Sequence, residues 1–433
     1  MRQSRFNIFI PLPVNGEYLL FNTFTDSRLI VNEELRTFME DIHHDKEMSA
    51  ENLSFLEKLK ENGVIVEDEQ SEERELQKWF EAKKNDNSEM NITILTTYAC
   101  NLGCVYCFQD GIGTTTTMRE DTCRRVLAWI FKRTEEIEPS ALKLTFYGGE
   151  PLLNPLALYF LSEELYQGLK ERGTELNIQI ITNGVLLSEG VLDRLLPLGL
   201  KGIKVTLDGD QEAHDRKRPF RNGQGSFETI FSNLLKIKDK VSILIGGNYD
   251  ESNKDHIPPL LDRLRDSGFP EQITMLNFRP IFANSQYKQS SYCDVCSFSE
   301  SKVEDMLWLR EETEKRGFRT MDGIALGPCE VINRHAYTID PDGRIYKCAG
   351  FVGMEGFSIG DIFSQDPDIE ADRFVDCDPW RECGECPYIP LCGGGCRCSA
   401  YMKGSDYRRV ACEKEYFDKV ALRLVVKEFL ATT

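Results

Sequence analysis

The stretch Tyr98-Ala99-Cys100-Asn101-Leu102-Gly103-Cys104-Val105-Tyr106-Cys107-Phe108 decides how the rest of the chain is read. Three cysteines spaced C-x3-C-x2-C follow directly on a strand-like run, Ile92–Thr97. Such short spacing lets three thiolates converge on one small object. Around a cubane of four irons, three thiolates leave one iron for a ligand that is not protein. A structural zinc site wants four closed ligands, and no fourth Cys or His follows at finger spacing. A chance group of buried cysteines is the other bland reading. The spacing, the aromatic neighbours Tyr106 and Phe108, and the position after a strand all favour an iron–sulfur cluster.

Outward from this loop the chain alternates strand and helix. Strand patterns fall at Ile92–Thr97, Leu142–Tyr147, Asn177–Ile181, Gly202–Asp208, Val241–Gly246 and Ile273–Phe278. Helical stretches lie between them, one opening at Asn154-Pro155, a capping residue followed by proline in the first turn. Others open near Ser188 and Ser226. Six such repeats predict an α/β fold, a parallel sheet curled into an incomplete (β/α)6 TIM-like barrel. Chemistry in these folds sits at the C-terminal strand ends, where the unusual segments of this chain also fall. Before the barrel, residues 1–66 read as a small α+β unit with strands at Asn7–Pro11, Glu17–Phe21 and Ser27–Val31. Helices near 33–42 and 50–62 and a run Val64–Val66 follow, and 67–90 reads as a helix and linker. Beyond the barrel, a helix near Glu300–Arg316 precedes a cysteine-rich, loop-rich tail closed by a helix at Val420–Leu430.

The chain has 433 residues, a hydrophobic content of 41% and a net charge of −19. An acidic chain lacks the basic footprint that nucleic acid or anionic membrane requires, so neither is expected as a partner. No apolar run is long enough to cross a bilayer. The start, with its apolar run broken by proline, has no signal-peptide pattern, and a cytoplasmic location is expected. Fifteen cysteines in such a chain point to metal rather than disulfides.

Seven of those cysteines form a second set: Cys329, Cys348, Cys383, Cys386, Cys392, Cys396 and Cys412. A hairpin is expected between Cys329 and Cys383: His335–Ile339, a turn at Asp340-Pro341-Asp342-Gly343, then Arg344–Cys348. The C-x2-C-x5-C-x3-C run follows it. Zinc is the serious alternative to iron–sulfur chemistry here. Cys123, in a helical run, reads as packing.

On these motifs the chain resembles the radical SAM superfamily. The resemblance implies that Cys100, Cys104 and Cys107 hold a 4Fe–4S cluster whose open iron binds S-adenosylmethionine. It implies a 5′-deoxyadenosyl radical that abstracts hydrogen from substrate. Tyr147-Gly148-Gly149-Glu150-Pro151 is similar to the family's methionine-binding segment; alone, Gly148, Gly149 and Glu150 would be only a turn. Thr182 and Asn183, and Thr206 and Asp208, match polar strand ends that meet the rest of S-adenosylmethionine. Arg218 is the expected holder of its carboxylate, against the bland reading of 214–218 as a solvated charge run. Gly246-Gly247-Asn248 is a weaker candidate for the adenosine.

The second set resembles the SPASM domain, which binds two auxiliary clusters, making three 4Fe–4S clusters in all. By that resemblance Cys383, Cys386, Cys392 and Cys412 hold the distal one, and Cys329, Cys348 and Cys396 the proximal one. Its fourth ligand is either absent or a distant thiolate, Cys293 or Cys296 before Cys398 or Cys377. The first unit is similar to PqqD-like peptide recognition domains; a structural cap is the bland reading. The expected division is 1–85 recognition unit and linker, 86–283 barrel, 284–326 bridging segment and 327–433 SPASM region. The expected activity is oxidative cross-linking of a ribosomally made precursor peptide, thioether first and carbon–carbon second. Its leader docks on the first unit, and a flavodoxin or ferredoxin supplies electrons. The alternatives are sulfatase maturation, where the family places an Asp at the position of Ala349, tetrapyrrole side-chain modification, and a non-catalytic electron carrier. No catalytic side chain is singled out.

Overall fold

Alternation in the first strands sorts their side chains onto two faces. The structure is a computed structural model. It describes the chain apart from residues 14–15, 41, 43–49, 108, 110–111, 113–114, 270, 272, 282–299, 321–326, 365–372 and 433. Strand β1 (Arg2–Gln3) precedes an antiparallel sheet of β2 (Asn7–Pro11), β3 (Glu17–Asn22) and β4 (Arg28–Asn32). Leu20 of β3 packs with Met39, Leu56 and Leu59 from α1 (Glu33–Glu40) and α2 (Ala50–Glu61). Leu19 and Phe21, on the other face, pack on Tyr388, Phe417 and Val425 near the C-terminus. The short β5 (Ile65–Val66) returns to pair with β1.

Residues 67–90, read from sequence as helix and linker, are mostly one well-capped helix, α3 (Glu69–Lys84). Asp68 accepts from the Ser71 backbone while the Ser71 side chain answers the Asp68 N–H, so two orphan donors are satisfied. Leu76 and Phe80 of α3 bury against Phe6, Trp380 and Ile389. The Phe80 and Trp380 rings stack at 4.6 Å. The N-terminal unit therefore packs directly on the cysteine-rich region.

Six parallel strands then lie side by side in chain order: β6 (Glu89–Leu95), β7 (Ala141–Tyr147), β8 (Glu175–Thr182), β9 (Leu200–Thr206), β10 (Ser242–Tyr249) and β11 (Ile273–Pro280). Helices α4 (Glu120–Ile137), α5 (Pro155–Glu171), α6 (Glu189–Leu195), α7 (Gln211–Lys217), α8 (Phe227–Ile237) and α9 (Ile257–Asp266) connect them. Asn154 and Ser188 cap α5 and α6 by accepting from the backbones of Ala157 and Val191, as their sequence positions predict. Cys123, on α4, is buried in the core. Helix α10 (Glu300–Lys315) packs against β11 and α9. This is the incomplete α/β barrel expected from the alternation.

The predicted hairpin forms from β12 (Ala336–Ile339) and β13 (Arg344–Tyr346), with β14 (Gly360–Asp361) beyond it. Its place is not visible in the sequence. β12 pairs in parallel with β6, Ala336 opposite Asn91 through Ile339 opposite Ile94. The barrel sheet thus runs on into the C-terminal region as nine strands. The Asp340 carboxylate accepts from the backbones of Asp342 and Arg344 and, at 2.9 Å, from the Tyr98 hydroxyl. That last bond ties the hairpin turn to the first residues of the cysteine loop.

Candidate active site

The cysteine loop leaves β6 through buried Thr96 and Thr97 and meets the exit of β7 backbone to backbone. Gly149 N donates to Thr97 O and Glu150 N to Ala99 O, both at 2.9 Å. A side chain at Gly149 would put its Cβ 2.2 Å from Ala99 O, and Gly148 holds φ at +135°. Only glycine fits either position. The clearance they give is taken up by Thr97, Tyr98 and Ala99, the segment leading into the three cysteines.

Glu150 is fully buried and directs both oxygens into the protein. One accepts from Leu152 N at 3.0 Å and from the Thr182 hydroxyl at 2.7 Å; the other accepts from Asn183 N at 2.7 Å. It locks the ends of β7 and β8 together. Burial pushes its carboxyl above the usual range, and these three bonds and Arg218 pull the other way. Asn183 Nδ2 in turn donates to Asn101 Oδ1 at 2.7 Å and lies 3.7 Å from the Cys100 sulfur.

Tyr106, inside the cysteine loop, is the hub of the other side. Its hydroxyl donates to the Asp208 carboxylate and accepts from Arg218 Nη1 at 2.8 Å and Asn248 Nδ2 at 3.1 Å. Asp208 also accepts from Asn248 N at 2.7 Å. The backbone of Asp208 donates to His214 Nδ1, and His214 Nε2 reaches the Ser226 hydroxyl. Burial and then Arg218 hold His214 well below the usual imidazole range, hence neutral. Arg218 is deeply buried, and its Nε meets no acceptor among the described residues. An unpaired guanidinium N–H at this depth suits an anionic group.

These strand ends border a cavity of about 900 Å³. Cys100, Cys104 and Cys107 open into it, together with Gly148, Gly149, Thr182, Asn183, Thr206 and Arg218. Glu150 and Asp208 stand behind its wall as struts. The cavity also reaches the second cysteine set: Cys329, Cys392 and Cys396 line it, as does Ala349. Burial pushes the Cys104 thiol up to about 12, with Arg218 opposing. A free thiolate is thus disfavoured here and needs a metal's charge to form. Among the described residues no three Cys, His, Asp or Glu side chains converge closely enough for a single ion. Three thiols opening into one void are a soft donor set that suits iron–sulfur or zinc chemistry.

In the C-terminal region, Cys383 feels the charges of Cys386 and Cys412, and Cys392 feels that of Cys383. Cys329 feels Cys396. Cys348 Sγ accepts from Gly350 N at 3.3 Å, and the Cys398 thiol reaches Gly350 O at 3.7 Å. Cys377 lies 3.7 Å from Arg408 O. Cys293, Cys296 and Phe108 lie outside the described residues. Sequence reading noted Tyr106 only as an aromatic neighbour and overlooked Lys204 and Arg279, which also line the cavity. Period-two counting back from Thr206 along β9 reaches Lys204, so that signal was present.

Residues 94–264 match the family model described as the Radical SAM superfamily. The chain is similar to a cysteine-type anaerobic sulfatase-maturating enzyme of Clostridium perfringens, 23% identical over 75% of this chain and 94% of that one. It is also similar to the PqqA peptide cyclase of Granulibacter bethesdensis, 25% identical over 73% and 84%. Among solved structures it resembles SuiB of Streptococcus suis bound to the precursor peptide SuiA. The TM-score is 0.55 at 13% identity, over 95% of this chain and 98% of that one. Among the described residues no helix is long and apolar enough to cross a membrane. With the match running from the end of β6 through the cysteine loop and β10, residues 94–264 form a radical SAM domain, and the chain is an enzyme.

Proposed function

We propose that the chain is a peptide-modifying maturase that installs an oxidative cross-link, a thioether first and a carbon–carbon bond second, in a ribosomally made precursor. One observation carries this reading. The three cysteines of the barrel loop and Cys329 and Cys396 of the second set open into the same cavity. A peptide lying there would face both sets at once. Cys100, Cys104 and Cys107 would hold a 4Fe–4S cluster, and Gly148, Thr182, Asn183, Thr206 and Arg218 would surround S-adenosylmethionine. When bound, those groups supply hydrogen-atom abstraction from an unactivated carbon. Cys383, Cys386, Cys392 and Cys412, and Cys329, Cys348 and Cys396, would hold two auxiliary 4Fe–4S clusters in a SPASM-like region. A cross-link removes two hydrogens from the peptide, a net oxidation that suits an electron-accepting centre beside the substrate, with flavodoxin or ferredoxin as the outside partner. The β2–β3–β4 sheet is read as a PqqD-like unit offering an edge to an extended leader.

Sulfatase maturation is the second reading, favoured by the match to the Clostridium perfringens enzyme over 94% of its length. The side chain at 349 argues against it: Ala349 lines the cavity and offers no proton acceptor. The test is co-expression with short reading frames neighbouring the gene, followed by peptide mass. Loss of two hydrogens per cross-link is expected. A formylglycine in a sulfatase-type peptide, with no cross-linked product, would favour the second reading instead.

A further inference from the structure

The cavity has two cationic ends. Arg218 is the cation felt by Cys100, Cys104, Tyr106, Glu150 and Asp208. Across the lumen, burial and then Glu413 push the Tyr416 hydroxyl above the usual phenol range, with Arg279 and Arg310 opposing. Arg310 is spoken for, since its Nε donates to Glu314 at 2.9 Å. Arg279 and Lys204 are not: among the described residues neither meets a carboxylate or carbonyl at hydrogen-bonding distance.

Strand register and one glycine bring the two onto the same stretch of the lumen wall. Lys204 and Thr206 face the lumen from β9. On β10, Thr206 sits opposite Gly246, and on β11 Asn248 sits opposite Arg279. The Lys204 side chain crosses the bare Gly246 position, its Cε 3.3 Å from where a Cβ would stand. Burial and then the charge of Arg279 hold its ammonium below the usual lysine range. Glu413 is the one carboxylate lining the cavity among the described residues. The groups it feels are Cys396 N, Arg397 and Lys403. Two cations in one lumen, neither of them paired with a carboxylate at hydrogen-bonding distance among the described residues, repel each other and lose hydration, a cost that an arriving anion offsets.

We propose that Lys204 and Arg279 form a subsite for a carboxylate of the peptide substrate, so that an acidic residue of the core is held in the lumen opposite the barrel cysteines. This rests on the peptide-modifying reading. S-adenosylmethionine also carries a carboxylate, but the unpaired Nε of Arg218 is already on the side of the cysteines.

The experiment uses anaerobically reconstituted enzyme saturated with S-adenosylmethionine. Two dansyl pentapeptide amides, Gly-Cys-Ala-Glu-Ala and its Gln counterpart, are titrated by fluorescence. N-acetylglutamate amide and N-acetylglutamine amide are then run as competitors. The wild type should prefer the acid about tenfold or more, as expected for a charge-assisted pair. Lys204→Met with Arg279→Gln should abolish the preference, while Lys204→Arg retains it. S-adenosylmethionine affinity of the double variant, from equilibrium dialysis, should equal that of wild type. Acid preference confined to the small pair, lost in the double variant, would uphold the subsite while contradicting the peptide reading. No acid preference in either pair would overturn the subsite. So would a preference that survives in the double variant, or a fall in S-adenosylmethionine affinity as its only effect.

Discussion

The two thiol-bearing regions are built on opposite principles. The barrel cysteines sit in a loop gripped by strand ends: Glu150 joins β7 to β8, and Tyr106 joins the loop to β9, β10 and Arg218. The second set sits on short helices and turns. Gly393, Gly394 and Gly395 run with φ of +57°, +85° and +84°. Buried Arg397 collects the carbonyls of Gly394, Gly395, Tyr407 and Arg409. A sheet holds the first region, whereas the second leans on one arginine, its glycines and the docked N-terminal unit, a thinner scaffold that depends more on whatever metal its cysteines hold. Chelation should therefore loosen the second region and leave the barrel intact.

The largest effect is expected from Arg397→Ala. It leaves four carbonyls, that of Gly394 fully buried and the others partly, without their donor, a loss of about 3 kcal/mol. Limited proteolysis should cut the tail of this variant, and its iron should fall while the barrel cluster persists. An intact tail with full iron would show that metal alone organises the region. Tyr106→Phe tests the other side. Asp208, Arg218 and Asn248 lose a shared partner at about 1–3 kcal/mol, and S-adenosylmethionine affinity should fall about tenfold or more in dialysis. Unchanged affinity would remove Tyr106 from the site's framework. Ile30 is half exposed on the outer strand β4. Ile30→Lys should weaken binding of a leader peptide several-fold at unchanged iron content, on the order of 1 kcal/mol. Such a point change is a cleaner test than deleting residues 1–85, which would strip Phe6, Leu76 and Phe80 from Trp380.

The smallest effect concerns a charge at the rim. Burial opposes ionisation of Asp250, but Lys217 and Ser252 hold its carboxyl below the usual range. Its contribution is therefore present above the unfolded carboxyl's range and lost as pH falls through the lowered one. Partial exposure limits it to about 0.5 kcal/mol. Asp250→Asn should cost that much at neutral pH and nothing at low pH, read from denaturant midpoints. A larger cost would mean that the rim bears on the cysteine loop.

Much of the barrel was legible because its strands and caps are local signals. The apolar runs gave six strands, and Asn154 and Ser188 gave helix starts. Boundaries shifted: β6 begins at Glu89 and ends at Leu95, because Thr96 and Thr97 turn into the loop. Non-local pairing was not legible. Nothing local in Ala336–Ile339 says that its neighbour is β6, and nothing in Arg2–Gln3 says that it meets Ile65–Val66. Spacing marked the cysteines, but it did not show that Glu150 turns inward or that Tyr106 is a hub, since both depend on which strand ends become neighbours. The helix α3 was blurred by its charge, because only Leu76 and Phe80 mark its buried stripe so strongly.

The measurement that bears most directly on the account compares Cys104→Ala and Cys386→Ala, each reconstituted anaerobically. Iron, sulfide and 5′-deoxyadenosine are assayed together. Each variant should lose about four irons of about twelve. Cys104→Ala should form no 5′-deoxyadenosine, while Cys386→Ala still forms some and fails to modify peptide. A wild type carrying zinc and a single cluster, or Cys386→Ala protein that keeps its barrel cluster yet forms no 5′-deoxyadenosine, would contradict the division of labour between the two regions.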